Sequence, residues 1–130
     1  MYEAVTRDIA VVVKPIFLED QSYPEDNHFV WAYTIQIENQ GSETVQLRTR
    51  TWVITDSAGN IQKVHGEGVV GKQPILHPGE RFEYTSGAPL ATPTGFMEGS
   101  YQMEANGGDI FDITIPAFSL DSPHHTINLH

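Results

Sequence analysis

The segment "FVWAYTIQIE", residues 29–38, decides the fold class of this chain. Its largest apolar residues recur at every second position, with smaller or polar residues between them: Phe29, Trp31, Tyr33, Ile35 and Ile37. A period of two is typical of a strand with one buried face, because successive side chains point to opposite sides of a sheet. The segment therefore predicts a half-buried β-strand.

The same alternation recurs along the rest of the chain. It is clear in "MEGSYQME" (97–104) and "FDITIPA" (111–117), and the turn-forming residues 106–109 between them, "NGGD", predict a hairpin. Further strands are predicted in "RDIAVVVKPIF" (7–17), "TVQLRTRTWVIT" (44–55), "IQKVH" (61–65) and "PGERFEYTS" (78–86). Pro15 confines the first of these to an edge or a bulge, since proline cannot donate to a β-ladder.

About seven short strands, and no helical periodicity of any length, indicate an all-β fold. We predict an antiparallel β-sandwich of immunoglobulin or fibronectin type III type. Its 130 residues suffice for one domain, which we place at residues 1–120, followed by a flexible C-terminal tail at 121–130.

Charge and composition exclude several classes of function. Seven Lys and Arg against 17 Asp and Glu give a net charge of −10, which repels nucleic acids, and the cations are scattered. There is no cysteine, so thiol chemistry and zinc–thiolate sites are excluded. The longest apolar run is too short to span a bilayer. We therefore expect a soluble, cytoplasmic protein that binds neither nucleic acid nor membrane.

Signals for catalysis or metal binding are weak. The acidic segment "LEDQSYPED", with Glu19, Asp20, Glu25 and Asp26, leaves a magnesium or calcium site conceivable, but a solvated loop is the ordinary interpretation. Ser86 lies in no recognised nucleophile motif. We predict no catalytic residue, no metal site and no cofactor.

Three glycines in "HGEGVVGKQPILHPGE", residues 65–80, have the spacing GxGxxG: Gly66, Gly68 and Gly71. In a dinucleotide fold this motif leads into a helix whose N-terminus faces the phosphates. Pro74 and Pro78 stand where that helix would run and would break it. The sequence therefore excludes a Rossmann site.

Two readings of the glycines remain open. They could form an anion-binding nest, with Lys63, His65 and Lys72 nearby, or they could mark a bulge or a close approach of two backbones. The second is the more common role of glycine in a sheet protein.

The stretch "RTRTW", residues 48–52, is also ambiguous. If Val45, Leu47 and Val53 face the core, the opposite face presents Arg48, Arg50, Trp52 and Ile54 to a partner. Alternatively, a β-bulge near residues 49–51 reverses the alternation and buries Trp52.

Nearly the whole chain resembles the ApaG family. The similarity lies in "GEGVVGKQPILHPGERFEYTSGAPLATPTGFMEGSYQM" (66–103), with "RTWVITD" (50–56) and "IPAFSL" (115–120) in support. The resemblance implies a fibronectin type III-like sandwich without established catalytic activity. It also implies a link to cobalt and magnesium tolerance, and a partner-binding role like that of eukaryotic ApaG domains.

The leading hypothesis is a non-catalytic module that binds a protein partner or an effector. Its predicted binding residues are Gly66, Gly68, Gly71, Lys72, Gln73 and Pro74, joined by Arg50 and Trp52. The alternative is a pyrophosphate or nucleotide site at residues 66–71. The sequence leaves the identity of the partner and the oligomeric state open.

Overall fold

A computed structural model describes residues 1–124 and shows two antiparallel sheets packed face to face. The predicted all-β sandwich is confirmed. The strands are β1 (Tyr2–Thr6), β2 (Ile9–Phe17), β3 (Phe29–Asn39), β4 (Val45–Asp56), β5 (Ile61–Glu67), β6 (Ile75–Leu76), β7 (Arg81–Leu90), β8 (Thr94–Ala105) and β9 (Ile110–Asp121). Within residues 1–124, no helix is long and apolar enough to cross a membrane.

The first sheet has the order β1-β2-β3-β7, and the second has the order β5-β4-β8-β9 with β6 paired to β4. Strand β3 buries every odd-numbered residue, as its alternation predicts. The predicted hairpin joins β8 to β9, and its turn contains Gly107 and Gly108, both with positive φ.

Two strands were not predicted. Strand β1 is separated from β2 by a turn at Arg7 and Asp8, whose φ angles are 49° and 62°. Both residues fall inside the predicted strand 7–17, which therefore began two residues too early, although Asp8 is of a type common in turns. Strand β6 has only two residues, too few to show any alternation.

Pro15 was predicted to lie in an edge strand or a bulge, and its position agrees with this although β2 lies inside its sheet. Strand β1 pairs with β2 only as far as Val13, whereas Pro15 pairs with Tyr33 on the other side. The backbone nitrogen of proline cannot donate, and here no strand of the described chain lies opposite it on the β1 side. At Pro15, β2 is locally an edge strand.

The core fills the space between the sheets, and its largest fully buried side chains are those of Trp31, Tyr101 and Phe118. On one side of the sandwich β9 packs against β1 and β2. On the other side the edge strands β5 and β7 leave a groove of about 270 Å³ between the sheets. The sandwich is therefore open along the β5/β7 side.

The predicted C-terminal tail is described only as far as His124, because residues 125–130 lie outside the described part. Asp121 is still the last residue of β9, and its carbonyl accepts a hydrogen bond from the Trp31 indole. Ser122 is buried, and His124 Nε2 lies 3.0 Å from Glu19 Oε1. Residues 121–124 are thus attached to the body of the sandwich.

Candidate functional site

The glycine stretch folds as a short hairpin at the end of β5. Val69 and Lys72 exchange two backbone hydrogen bonds, of 2.8 and 2.9 Å, and so close a two-residue turn at Val70 and Gly71. Both central residues have positive φ, 44° and 79°, as a type I′ turn requires. The chain then passes through Gln73 and Pro74 into β6. We call residues 68–73 the tip hairpin.

The two valines of the tip hairpin have opposite environments. Val69 is 1% exposed and belongs to the hydrophobic core, which anchors the hairpin to the sandwich. Val70 is 55% exposed at the turn itself. A β-branched residue in the left-handed region is a clear outlier, because its Cβ crowds the following carbonyl. The hairpin therefore holds an apolar side chain in solvent at a cost in backbone strain.

Gly68 is required by close packing, and Gly66 lies tightly against the Arg50 side chain. Gly68 has φ of +65°, and a Cβ there would lie 2.4 Å from the backbone oxygen of Lys72. A Cβ on Gly66 would lie 3.0 Å from a terminal nitrogen of the Arg50 guanidinium. These glycines make room for another backbone segment and for an arginine, which favours the structural interpretation of the motif.

Arg50 and Gln73 brace the tip hairpin from inside. Arg50 Nη1 donates to the carbonyls of Glu67 and Gly68 at 3.0 and 2.8 Å. Gln73 Nε2 donates to the carbonyl of Arg48 at 2.9 Å, and Gly68 N donates to the same carbonyl. These bonds join the hairpin to β4 at several points, so its shape is fixed before any partner binds.

The prediction that Trp52 faces outward beside Arg50 is wrong, and the alternative that a bulge buries Trp52 is confirmed, although the bulge lies just before the expected residues 49–51. The pairing of β4 with β8 slips between Leu47 and Thr49, which leaves Arg48 as the extra residue. The slip reverses the alternation, so Trp52 is only 3% exposed, and Val53, expected in the core, turns outward instead. Trp52 packs edge-to-face against Tyr33 and Phe118. It therefore belongs to the core and not to a binding surface.

The bulge also separates the two arginines. Arg48 lies on the outer face, where Nε is 3.4 Å from Glu104 Oε1. Arg50 turns toward the groove on the β5/β7 side, which Tyr33, Ser86 and Met97 also line. The predicted joint face of Arg48, Arg50 and Trp52 does not exist.

Arg50 also faces a group of buried tyrosines. The hydroxyls of Tyr84 and Tyr101 share a very short hydrogen bond. Burial raises the pKa of both groups, and burial likewise raises the pKa of Tyr33, while the positive charge of Arg50 partly offsets each shift. These tyrosines stay neutral near pH 7 and act as hydrogen-bonding members of the core.

The structure thus brings most of the predicted binding residues together. Those at or beside the tip hairpin are Gly66, Gly68, Gly71, Lys72, Gln73, Pro74 and Arg50. Lys72 is exposed, whereas Arg50 and Gln73 use their polar groups to hold the backbone. The exposed Val70 is absent from the predicted set. The signal that could have found it is its place between Val69 and Gly71, where a type I′ turn favours Asn or Gly.

The acidic segment folds into two short 3₁₀ turns, Glu19–Gln21 and Pro24–Asp26. Within residues 1–124, no three side chains of the metal-binding types His, Cys, Asp and Glu are grouped closely enough to hold an ion.

Comparison with known proteins identifies the family. The model of the ApaG domain matches residues 19–105. Protein ApaG of Paramagnetospirillum magneticum is 62% identical over 130 residues, which is all of both chains. Protein ApaG of a Bradyrhizobium species, strain ORS 278, is 64% identical over 123 residues, 95% of each chain.

A solved structure shows the same fold at high identity. The crystal structure of an ApaA protein from Bordetella pertussis superposes with a TM-score of 0.88 and 45% identity. The match covers 94% of this chain and 100% of that one. With the family model matching most of the sandwich and relatives aligned over its full length, this chain belongs to the ApaG domain family.

Proposed function

We propose that this chain is a non-catalytic, cytoplasmic binding module that recognises a protein partner through the tip hairpin. The observation that carries the proposal is Val70, a solvent-exposed β-branched residue held at φ of +44°. Backbone strain persists where the surrounding structure imposes it, and it is concentrated at functional sites. Here Arg50, Gln73 and the buried Val69 impose it.

The hairpin has the properties of a recognition element. Its rigid backbone lowers the entropy lost on binding, and Val70 offers an apolar contact at its end. Lys72 adds an exposed positive charge beside it, on a protein of net charge −10. A partner with a small apolar pocket bordered by carboxylates would complement both residues. The link to cobalt and magnesium tolerance would then act through this partner.

Hydrogen bonding in the hairpin disfavours the alternative of a pyrophosphate or nucleotide site. The backbone N–H groups of Gly68, Val69 and Lys72 already donate to protein carbonyls. Arg50 directs Nη1 at two carbonyls of the same segment. A nest binds an anion through unoccupied N–H groups, and three of those in the hairpin are already used, so we expect ATP, GTP and diadenosine tetraphosphate to bind weakly or not at all in titration calorimetry at physiological salt.

Affinity capture with the tagged full chain tests the partner proposal. Val70→Asn and Lys72→Glu change the exposed part of the hairpin and keep Gln73, which braces it. Lys14→Glu is the matched control, because it makes the same charge change at an exposed position on the other sheet. We expect one set of proteins, quantified by mass spectrometry, to be captured by the wild type and Lys14→Glu and lost with both hairpin variants.

Equal capture by all four proteins would overturn the proposal. Loss of capture with Lys14→Glu as well as with Lys72→Glu would also overturn it, because charge alone would then explain binding. Thermal denaturation of each variant shows whether the fold is intact, so loss of capture through unfolding is recognised.

A further inference from the structure

The outer face of the second sheet carries an exposed apolar group that the tip hairpin does not include. Strand β4 lies between β5 and β8, and the register places Ile61, Thr55 and Phe96 side by side across the three strands. Ile61 is 64% exposed and Phe96 is 43% exposed. The next outward row along β4 is Lys63, Val53 and Glu98. We call these two rows the outer patch.

The charges of the outer patch have no partner within the described chain. Neither Lys63 nor Glu98 lies within 4.0 Å of an oppositely charged group of residues 1–124. They lie on opposite sides of Val53, each one strand away, or about 4.8 Å in the plane of the sheet. The patch therefore has one charged side chain on each side of Val53, and an exposed apolar side chain at each end of the neighbouring row.

This arrangement is complementary to itself. A two-fold axis that runs along β4, above Val53 and between two facing sheets, exchanges the β5 side with the β8 side. Lys63 of each copy then faces Glu98 of the other, and Ile61 of each copy faces Phe96 of the other. One operation therefore satisfies both the opposite charges and the exposed apolar side chains, as an isologous interface requires.

We propose that the outer patch is the interface of a homodimer in which a second copy of this chain packs face to face about that axis. Aligned sheets pack about 10 Å apart and rotated by about 30°, and both rows lie close enough to the axis to stay in contact under that rotation. The net charge of −10 on each copy opposes association, so we expect a weak dimer. The tip hairpin follows the far end of β5, roughly 20 Å from Ile61, and stays free for its own partner.

Sedimentation equilibrium of the full chain, from micromolar to millimolar concentration at 0.15 M salt, tests the dimer. We expect the wild type to show a monomer–dimer equilibrium. Lys63→Glu and Glu98→Lys each place like charges opposite one another twice per dimer, so each should raise the dimer Kd by at least about tenfold. The double variant Lys63→Glu/Glu98→Lys restores opposite charges and should therefore return the Kd to within about threefold of the wild type. The tenfold loss expected of each single variant corresponds to about 1.4 kcal/mol per dimer.

Lys14→Glu is again the matched control, since it alters the net charge as Lys63→Glu does but lies on the other sheet. A wild type that stays monomeric at every concentration overturns the proposal. A dimer that Lys63→Glu and Lys14→Glu weaken equally also overturns it, and so does a double variant that fails to recover. Val53→Cys gives a second measurement in this cysteine-free chain, because a short bismaleimide should join two copies there and leave Thr85→Cys unlinked.

Discussion

Replacing Val70 by asparagine should stabilise the protein while removing the apolar tip. Valine at φ of +44° loses about 1–2 kcal/mol to steric conflict, whereas asparagine tolerates this region well. Val70 is more than half exposed, so the substitution forfeits only a part of its burial energy, and asparagine is similar in size. The net gain should be about 0.5–1 kcal/mol in the free energy of unfolding.

The length of the chain allows this gain in unfolding free energy to be expressed as a shift in the melting temperature. An unfolding entropy of about 2.1 cal/mol/K per residue gives about 0.27 kcal/mol/K for 130 residues. A gain of 0.5–1 kcal/mol should therefore raise Tm by about 2–4 °C, as measured by calorimetry or circular dichroism.

Val70→Ala is the matched control for this prediction. Alanine keeps a Cβ in the left-handed region but removes the two methyl groups, so its Tm should not rise. The reasoning is refuted if Val70→Asn fails to raise Tm above that of the wild type and of Val70→Ala, because relief of backbone strain would then not outweigh the contacts that Val70 makes.

Three further predictions concern the core and the glycines. Gly68→Ala should lower the free energy of unfolding by at least about 2 kcal/mol, because its Cβ would meet the Lys72 carbonyl. Gly71→Ala, with open space around it, should lower it by about 1 kcal/mol. Equal losses in urea denaturation would contradict this packing argument. Burial raises the pKa of Tyr84, so its contribution to the free energy of unfolding is complete below the unfolded pKa of 10.0 and falls at higher pH by about 1.4 kcal/mol per pH unit. Tyr84→Phe should therefore reduce the loss of stability at alkaline pH, as measured by urea denaturation. An unchanged dependence on pH would contradict this prediction. Trp52→Ala should cost about 3–5 kcal/mol through the cavity it leaves, which a loss below 1 kcal/mol in urea denaturation would contradict.

The sequence by itself determined the class of the fold, the position of one hairpin and the exclusion of a helix after the glycines. In β3 the alternation of "FVWAYTIQIE" matches the observed burial at every position, because period two follows from the geometry of a single strand. The hairpin between β8 and β9 was predicted from Asn106, Gly107, Gly108 and Asp109 for the same kind of local reason. Pro74 and Pro78 correctly excluded a helix after the glycines, because a proline ring breaks a helix in any context.

Only the tertiary structure decided which side chains the sandwich presents. Trp52 is buried because β4 slips by one residue against β8 at Arg48, and a slip is a property of two paired strands. Gly66 lies against the Arg50 guanidinium, a contact that exists only once β4 and β5 are paired. Likewise Ile61 and Phe96 become neighbours only because β4 lies between their strands. Periodicity assigns each strand two faces, but pairing decides which face meets the core.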